Sequence, residues 1–292
     1  MTKNIAVIAD SSFAISKEDQ QKYNIYIIPT PIIFNEKIKY DSDWSSPAKF
    51  YKEMNSAKNL PTTSMASPAD VIRAFDQAKA DGYQQAILMT LASGISGFYN
   101  LAVNMANDYE GLDILVWDSK YTLMVSGVQA LLAAELSAQG LTRDQIIEKV
   151  RQLRDRTHVF IVVDDISHLK RTGRLAGGTA LVAGLLNIKP ILTFNDESKI
   201  VAIGKERQMK RAWAWLLKQF STDLAAFDRP VRVQFADANN RELTEKWQAD
   251  LHSKYPNILT DFIRIGPLIG VHTGEKAVGF VYMPDWKDIA RN

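Results

Sequence analysis

Short apolar runs alternate with longer stretches of helical period through the first half of the chain. Ile5 to Ala9 is a continuous apolar run of the kind a strand covered on both faces requires, and Asp10-Ser11-Ser12 follows at its carboxyl end. Ser16 and Asp19 fit the cap of a short helix. Ile25 to Phe34, interrupted by Pro29 and Pro31, reads as an edge segment, and Ser46-Pro47 opens another helix. Ser67 caps and Pro68 begins a helix running toward Gly82, preceded by a loop of Thr62, Thr63 and Ser64. Ile87 to Asn100 reads as strand, loop and helix, the loop carrying Ser93, Gly94, Ser96 and Gly97. Ile114 to Trp117 is a further strand ending in Asp118-Ser119-Lys120. A Leu- and Ala-rich helix then spans Tyr121 to Gln139 up to Gly140, and Thr142 with Gln145 forms a capping box for the next. Strands alternating with helices imply a parallel sheet.

Beyond Arg156 the pattern changes. Val159 to Val163 is followed by a helix-loop-helix run, then by paired strands at Ile188 to Phe194 and Lys199 to Ile203, joined by a turn over Asn195 to Ser198. Helices around Trp213 and Leu243 and strands at Val231 to Ala236 and Ile258 to Ile265 indicate a second, mixed or antiparallel sheet. Two α/β domains are therefore expected, 1–156 and 157–292.

Composition narrows the function classes. The 292 residues are 46% hydrophobic, enough for a sizeable core, and 35 Lys and Arg against 33 Asp and Glu leave a net charge of +2. So small an excess gives no general attraction to nucleic acid or an anionic membrane. With no cysteine there is no thiolate nucleophile, and the four histidines, at 158, 168, 252 and 272, lack ligand spacing, so no metal or other cofactor is expected. The apolar start is too short for a signal sequence and no uncharged run is long enough to span a bilayer, which predicts a cytoplasmic protein.

Candidate chemistry gathers at the strand ends. In parallel sheets the ligand crevice lies outside the carboxyl ends of the strands, where Asp10, Ser93 and Asp118 all fall. Ser93 and Ser96 either cap the following helix or, with its free N–H groups, hold an anion. In the second half, Ser167 to Gly178 (SHLKRTGRLAGG) and Gly266 to Gly279 (GPLIGVHTGEKAVG) each combine glycine with a potential cation. Arg174 is either a surface residue or a bidentate partner for a carboxylate or phosphate, and His272, placed after an apolar strand, is a loop histidine satisfied by backbone, an anion donor or a proton shuttle. Lys170 and Arg171 read as a solvated face or partner patch. The residue types also permit a serine hydrolase using Ser96 or Ser93 with His272 as base and Asp10 or Asp118 as orienter, although Gly94 to Phe98 lacks the second glycine of a nucleophile elbow. Neither a Walker loop nor a Rossmann fingerprint is present.

The ordered set of motifs resembles the DegV family and is similar to the fatty-acid-binding subunits of bacterial fatty acid kinase. The resemblance rests on ADSS at Ala9 to Ser12, TTSMASP at Thr62 to Pro68, LASGISGFYN at Leu91 to Asn100 and WDSK at Trp117 to Lys120. It continues through HLKRTGRL at His168 to Leu175, LLNIKPIL at Leu185 to Leu192 and IGVHTGEKAVG at Ile269 to Gly279. It implies a two-domain DegV-like α/β fold with a long-chain fatty acid buried between the domains and no catalytic residue of its own. It further implies that Thr63, Ser64, Ser93, Ser96 and Gly97 hold the carboxylate and that Arg174 and His272 lie near the head group and the phosphate it acquires. Asp10, Ser11 and Asp118 would support the crevice. The implied partner is a separate ATP-dependent kinase that forms an acyl phosphate for phospholipid synthesis, with transient membrane contact and no nucleic acid. The sequence departs from the family pattern at Met65 and Ala66, where glutamine and proline are common, at Phe98, where threonine follows serine-glycine, and at Glu275-Lys276, where proline-glycine is common. Phe98 would bear on acyl-chain preference, and Glu275 and Lys276 on kinase docking.

Overall fold

A computed structural model describes residues 5–177 and 188–292. In chain order the elements are β1 (Ala6–Asp10), α1 (Lys17–Lys22), β2 (Ile25–Ile28), β3 (Ile32–Phe34), β4 (Lys37–Lys39), α2 (Pro47–Ser56), β5 (Thr62–Thr63), α3 (Pro68–Ala80), β6 (Gln85–Thr90), α4 (Phe98–Asp108), β7 (Asp113–Asp118), α5 (Leu123–Ala138) and α6 (Arg143–Asp155). They continue with β8 (His158–Val162), α7 (Ser167–Arg171), β9 (Lys189–Phe194), β10 (Ile200–Glu206), α8 (Met209–Asp223), β11 (Val231–Asp237), α9 (Arg241–Lys254), β12 (Leu259–Arg264), α10 (Pro267–Thr273), β13 (Val278–Pro284) and α11 (Trp286–Arg291). The chain forms two compact units, one of Met1–Pro31, Thr63–Arg156 and Ile289–Asn292, the other of Ile32–Thr62 and Thr157–Asp288. The segment 32–62, read from the sequence as part of the N-terminal domain, thus groups with the second unit.

The first unit is built on a four-stranded parallel sheet of order β2-β1-β6-β7. The chain leaves β1 toward β2 on one side and returns as β6 on the other, so the topological switch point falls between β1 and β6, at the carboxyl ends of Asp10 and Thr90. Its core packs Ile8 and Leu88 of the sheet against Val71 and Phe75 of α3 and Phe98 and Ala102 of α4. The helix starts follow the sequence signals: the Ser67 hydroxyl accepts from Asp70 N at 3.1 Å, and Thr142 and Gln145 cap α6 reciprocally.

The second unit contains a six-stranded mixed sheet of order β10-β9-β8-β13-β11-β12, antiparallel except for β11 and β12. A smaller sheet has the order β4-β3-β5. Aromatic residues dominate the core: Trp213 and Trp247 stack at 5.0 Å, and Phe235, Phe280 and Tyr282 are fully buried.

Three local readings change. The apolar run before His272 is a helix, α10: Pro267 presets its first turn, Leu268 and Val271 share its buried face, and seven residues are too few for period alone to separate helix from strand. The segment 25–34 divides into β2, at the edge of the parallel sheet, and β3, in the small sheet. β13, buried along its whole length at the middle of the mixed sheet, carries no alternation that the sequence reading singled out. The second helix of the expected helix-loop-helix run, Gly178 and the start of the LLNIKPIL motif lie outside the described residues.

Candidate functional site

At the switch point of the first unit the carboxylates are already occupied. Asp10, fully buried, accepts from Ser12 N and from Leu91 N, each at 2.9 Å, and so ties the end of β1 to the loop that leaves β6. Burial pushes its carboxyl up from the ordinary range, against the hydrogen bonds from Ser12 and Leu91. The Ser11 hydroxyl accepts from Thr30 N at 2.9 Å and fastens the end of β2 in the same way. Asp118 accepts from Lys120 N at 2.8 Å, from Ser93 N at 3.3 Å and from the Ser93 hydroxyl at 2.6 Å. These three residues fasten the loops that follow the carboxyl ends of β1, β2, β6 and β7.

The donors differ in what they have left to give. A serine hydroxyl has one hydrogen, and that of Ser93 goes to Asp118. Ser96 instead accepts, from Phe98 N at 3.2 Å, and keeps its hydrogen for another acceptor. Gly97 precedes α4 as its N-cap and has no side chain to cap the first turn. A Cβ on Gly97 would stand 3.1 Å from Met65 Sδ, so the loop that carries Thr63 and Ser64 adjoins the start of α4. Ser64 N donates to Pro31 O at 3.1 Å, Thr63 is half-buried and Ser64 is exposed. The structure therefore brings Thr63, Ser64, Ser93, Ser96 and Gly97 to neighbouring loops of one unit. Of the departures from the family pattern, Ala66 and Phe98 are both packed in the core of this unit.

In the second unit the polar cluster is cationic. His272 stands in the last turn of α10, where burial first, and then the charges of Arg174 and Arg171 and the His168 ring, hold its pKa down at about 3. Arg174 Nη1 donates to Thr172 O. Arg171, expected on a solvated face or partner patch, is exposed, yet both of its terminal nitrogens donate to Pro61 O at 3.2 Å, and Nη2 also reaches Val271 O at 3.4 Å. Glu275 accepts from Asn55 and Asn239, each at 2.6 Å, and Lys276 takes φ of 64°, the left-handed conformation that glycine occupies more readily. The two asparagines on Glu275 hold that turn in place.

Asp41 escaped the sequence reading. Its carboxylate accepts from Leu268 N at 2.6 Å at the start of α10, and burial pushes it up to about 6. The contact spans 227 positions and has no local sequence signal. Among the described residues no group of histidine, cysteine, aspartate and glutamate is arranged to hold a metal ion, and no helix is long and apolar enough to cross a membrane.

Known proteins match this chain from end to end. A DegV domain-containing protein of Listeria monocytogenes is 34% identical over 288 residues, covering 97% of this chain and 99% of its own. Protein DegV of Bacillus subtilis is 32% identical over 283 residues, with 96% and 99% covered. A crystal structure of DegV, described as a fatty acid binding protein from Bacillus subtilis, superposes with a TM-score of 0.88 at 30% identity, covering 97% of this chain and all of that one. That of a fatty acid binding DegV family protein from Streptococcus agalactiae gives 0.88 at 28% identity, with 97% and 99% covered. The family model described as "Uncharacterised protein, DegV family" matches residues 4–285. On this agreement across nearly every residue, the chain belongs to the DegV family.

Proposed function

We propose that this protein is a cytoplasmic fatty-acid carrier that buries a long acyl chain and presents the carboxylate to a separate ATP-dependent kinase. The observation that carries the reading is the whole-length match to Bacillus subtilis DegV, a fatty acid binding protein. The chemistry of the first unit supports it. A buried carboxylate without partners costs several kcal/mol, and neutral hydroxyl and amide donors offset that cost without adding a competing charge. The hydroxyl of Ser96, whose hydrogen is not given to Phe98, supplies a donor of this kind, and the acids Asp10 and Asp118 are engaged elsewhere. The tail supplies affinity: about fourteen methylenes at ~0.8 kcal/mol each give on the order of 11 kcal/mol before ordering costs.

In the kinase step an oxygen of the bound carboxylate attacks the γ-phosphorus of ATP, ADP leaves, and an acyl phosphate remains. Arg174 would offset the charge of the new phosphate, with His272 as a neutral donor beside it. Loading and unloading of so apolar a ligand calls for transient contact with a membrane.

The hydrolase alternative is weaker on the same chemistry. A general base works best with a pKa near the operating pH, and His272 is held far below it, at about 3. The Ser93 hydrogen is directed at Asp118, a carboxylate, with no imidazole in that bond.

Native mass spectrometry of the purified protein, before and after addition of palmitate, tests the carrier reading. One fatty acid per chain is expected. Failure to take up palmitate or any co-purifying lipid, together with turnover of short acyl esters that Ser96→Ala abolishes, would replace the carrier by the hydrolase.

A further inference from the structure

We propose that Arg171 is a positioning residue for the head-group end of the site, a strut joining the peptide that enters β5 to the helix that carries His272. The inference rests on the fatty-acid reading above. Its two anchor points are adjacent in sequence to proposed site elements: Pro61 immediately precedes β5, and Val271 immediately precedes His272. Both terminal nitrogens of Arg171 bond Pro61 O at 3.2 Å, and one of them bonds Val271 O at 3.4 Å. Pro61 and Val271 are buried, so the strut fastens backbone that is itself packed. A guanidinium can serve both carbonyls because its donors diverge in one rigid plane; a lysine ammonium is a single point and cannot reproduce that fork.

A second contact from α7 reinforces the first. His168 lies three positions before Arg171, on the same face of α7, and its ring packs against the end of α10. That ring fills the space beside Gly274: a Cβ there would come 2.7 Å from His168 Cδ2, and Gly274 has φ of 72°. The end of α10 is thus held by two side chains of one short helix. Burial chiefly keeps the His272 ring neutral, with Arg174 and then Arg171 adding to the effect, which suits a hydrogen-bond donor to an anion better than a proton carrier. Lys170, between the two, is exposed and makes neither contact.

The test follows the carboxyl carbon of bound palmitate labelled at C1 by ¹³C NMR through a pH titration. It compares the wild-type chain with Arg171→Lys, Arg171→Ala and Lys170→Ala, with uptake measured by native mass spectrometry. Arg171→Lys keeps the charge and most of the aliphatic stem, so it reads positioning even where Arg171→Ala fails to fold. The expected result is one palmitate per chain in wild type and in Arg171→Lys. In Arg171→Lys the carboxyl titration midpoint moves toward that of exposed fatty acid by about half a pH unit or more. Lys170→Ala leaves the midpoint unchanged. A wild-type midpoint in Arg171→Lys and in any folded Arg171→Ala would overturn the strut while leaving fatty-acid binding intact. An equal shift in Lys170→Ala would also overturn it, by making the effect one of general charge. Absence of palmitate from the wild-type chain would overturn the fatty-acid reading and the strut together.

Discussion

The two units build their polar clusters from opposite materials. In the first, acids do the organising: Asp10 and Asp118 accept backbone N–H groups and one hydroxyl, and through them fix loops whose remaining donors are neutral. In the second, cations do it: Arg171 donates to two main-chain carbonyls, and burial first, with the nearby arginine charges second, leaves His272 neutral. The difference teaches that the charged residues nearest a candidate site need not touch its ligand. Where acids are consumed in holding loops, an anion can be accommodated beside them, because each carboxylate is already surrounded by its own donors.

The largest expected effect comes from removing the most deeply buried organiser. Asp10→Ala strands Leu91 N and Ser12 N away from water and should cost about 2–4 kcal/mol in urea unfolding, with Asp10→Asn intermediate, since its amide oxygen keeps one acceptor. A loss below about 0.5 kcal/mol in Asp10→Ala would break the claim that acids organise this edge.

Next is a contrast in pH dependence within the second unit. The Asp41 carboxyl binds its proton up to about pH 6 in the folded chain, against 3.8 for an exposed one, so stability is lost as pH rises from about 4 to 6. Asp41→Asn, which keeps an acceptor for Leu268 N, should recover roughly 1–3 kcal/mol above pH 6 and little below pH 4. His272 has the opposite sign. Its folded pKa is depressed, so its contribution is complete above the ordinary 6.5 and is lost as pH falls from there toward 3. His272→Gln should therefore reduce acid lability in that window. Melting curves across pH 4 to 8 that slope the same way in both variants would contradict this contrast.

Smaller effects sharpen the comparison between donors. Ser96→Ala should weaken palmitate binding about 10-fold or more in a fluorescent-fatty-acid displacement assay, the low end of the value of one hydrogen bond to a charged group. Ser93→Ala should act mainly on stability, by ~1 kcal/mol, because its hydrogen is given to Asp118. Reversal of that order would assign Ser93 the ligand and Ser96 the cap.

Much of this was legible along the chain. Repeated apolar runs ending in aspartate-serine marked β1 and β7, and the serine and threonine caps marked α3 and α6, since those signals act over three or four residues. The positions of Asp10, Ser93 and Asp118 at strand ends followed from parallel topology alone. The roles of the charged groups were not legible. Asp41 meets α10 from 227 positions away, Arg171 reaches Pro61 across 110, and the split of 25–34 between two sheets depends on pairing partners that local pattern does not encode. The α10 helix is not separable from a strand by pattern, because its apolar run, Pro267 to Val271, is short enough to fit either period.

The most direct test of the central claim, that neutral donors hold a fatty-acid carboxylate while the tail supplies bulk affinity, compares palmitate with hexadecanol in the same displacement assay. Both present the same chain, so their difference isolates the head group. The account predicts that palmitate binds at least about 10-fold more tightly, and that Ser96→Ala narrows the gap. Equal affinities in the wild-type chain would contradict it.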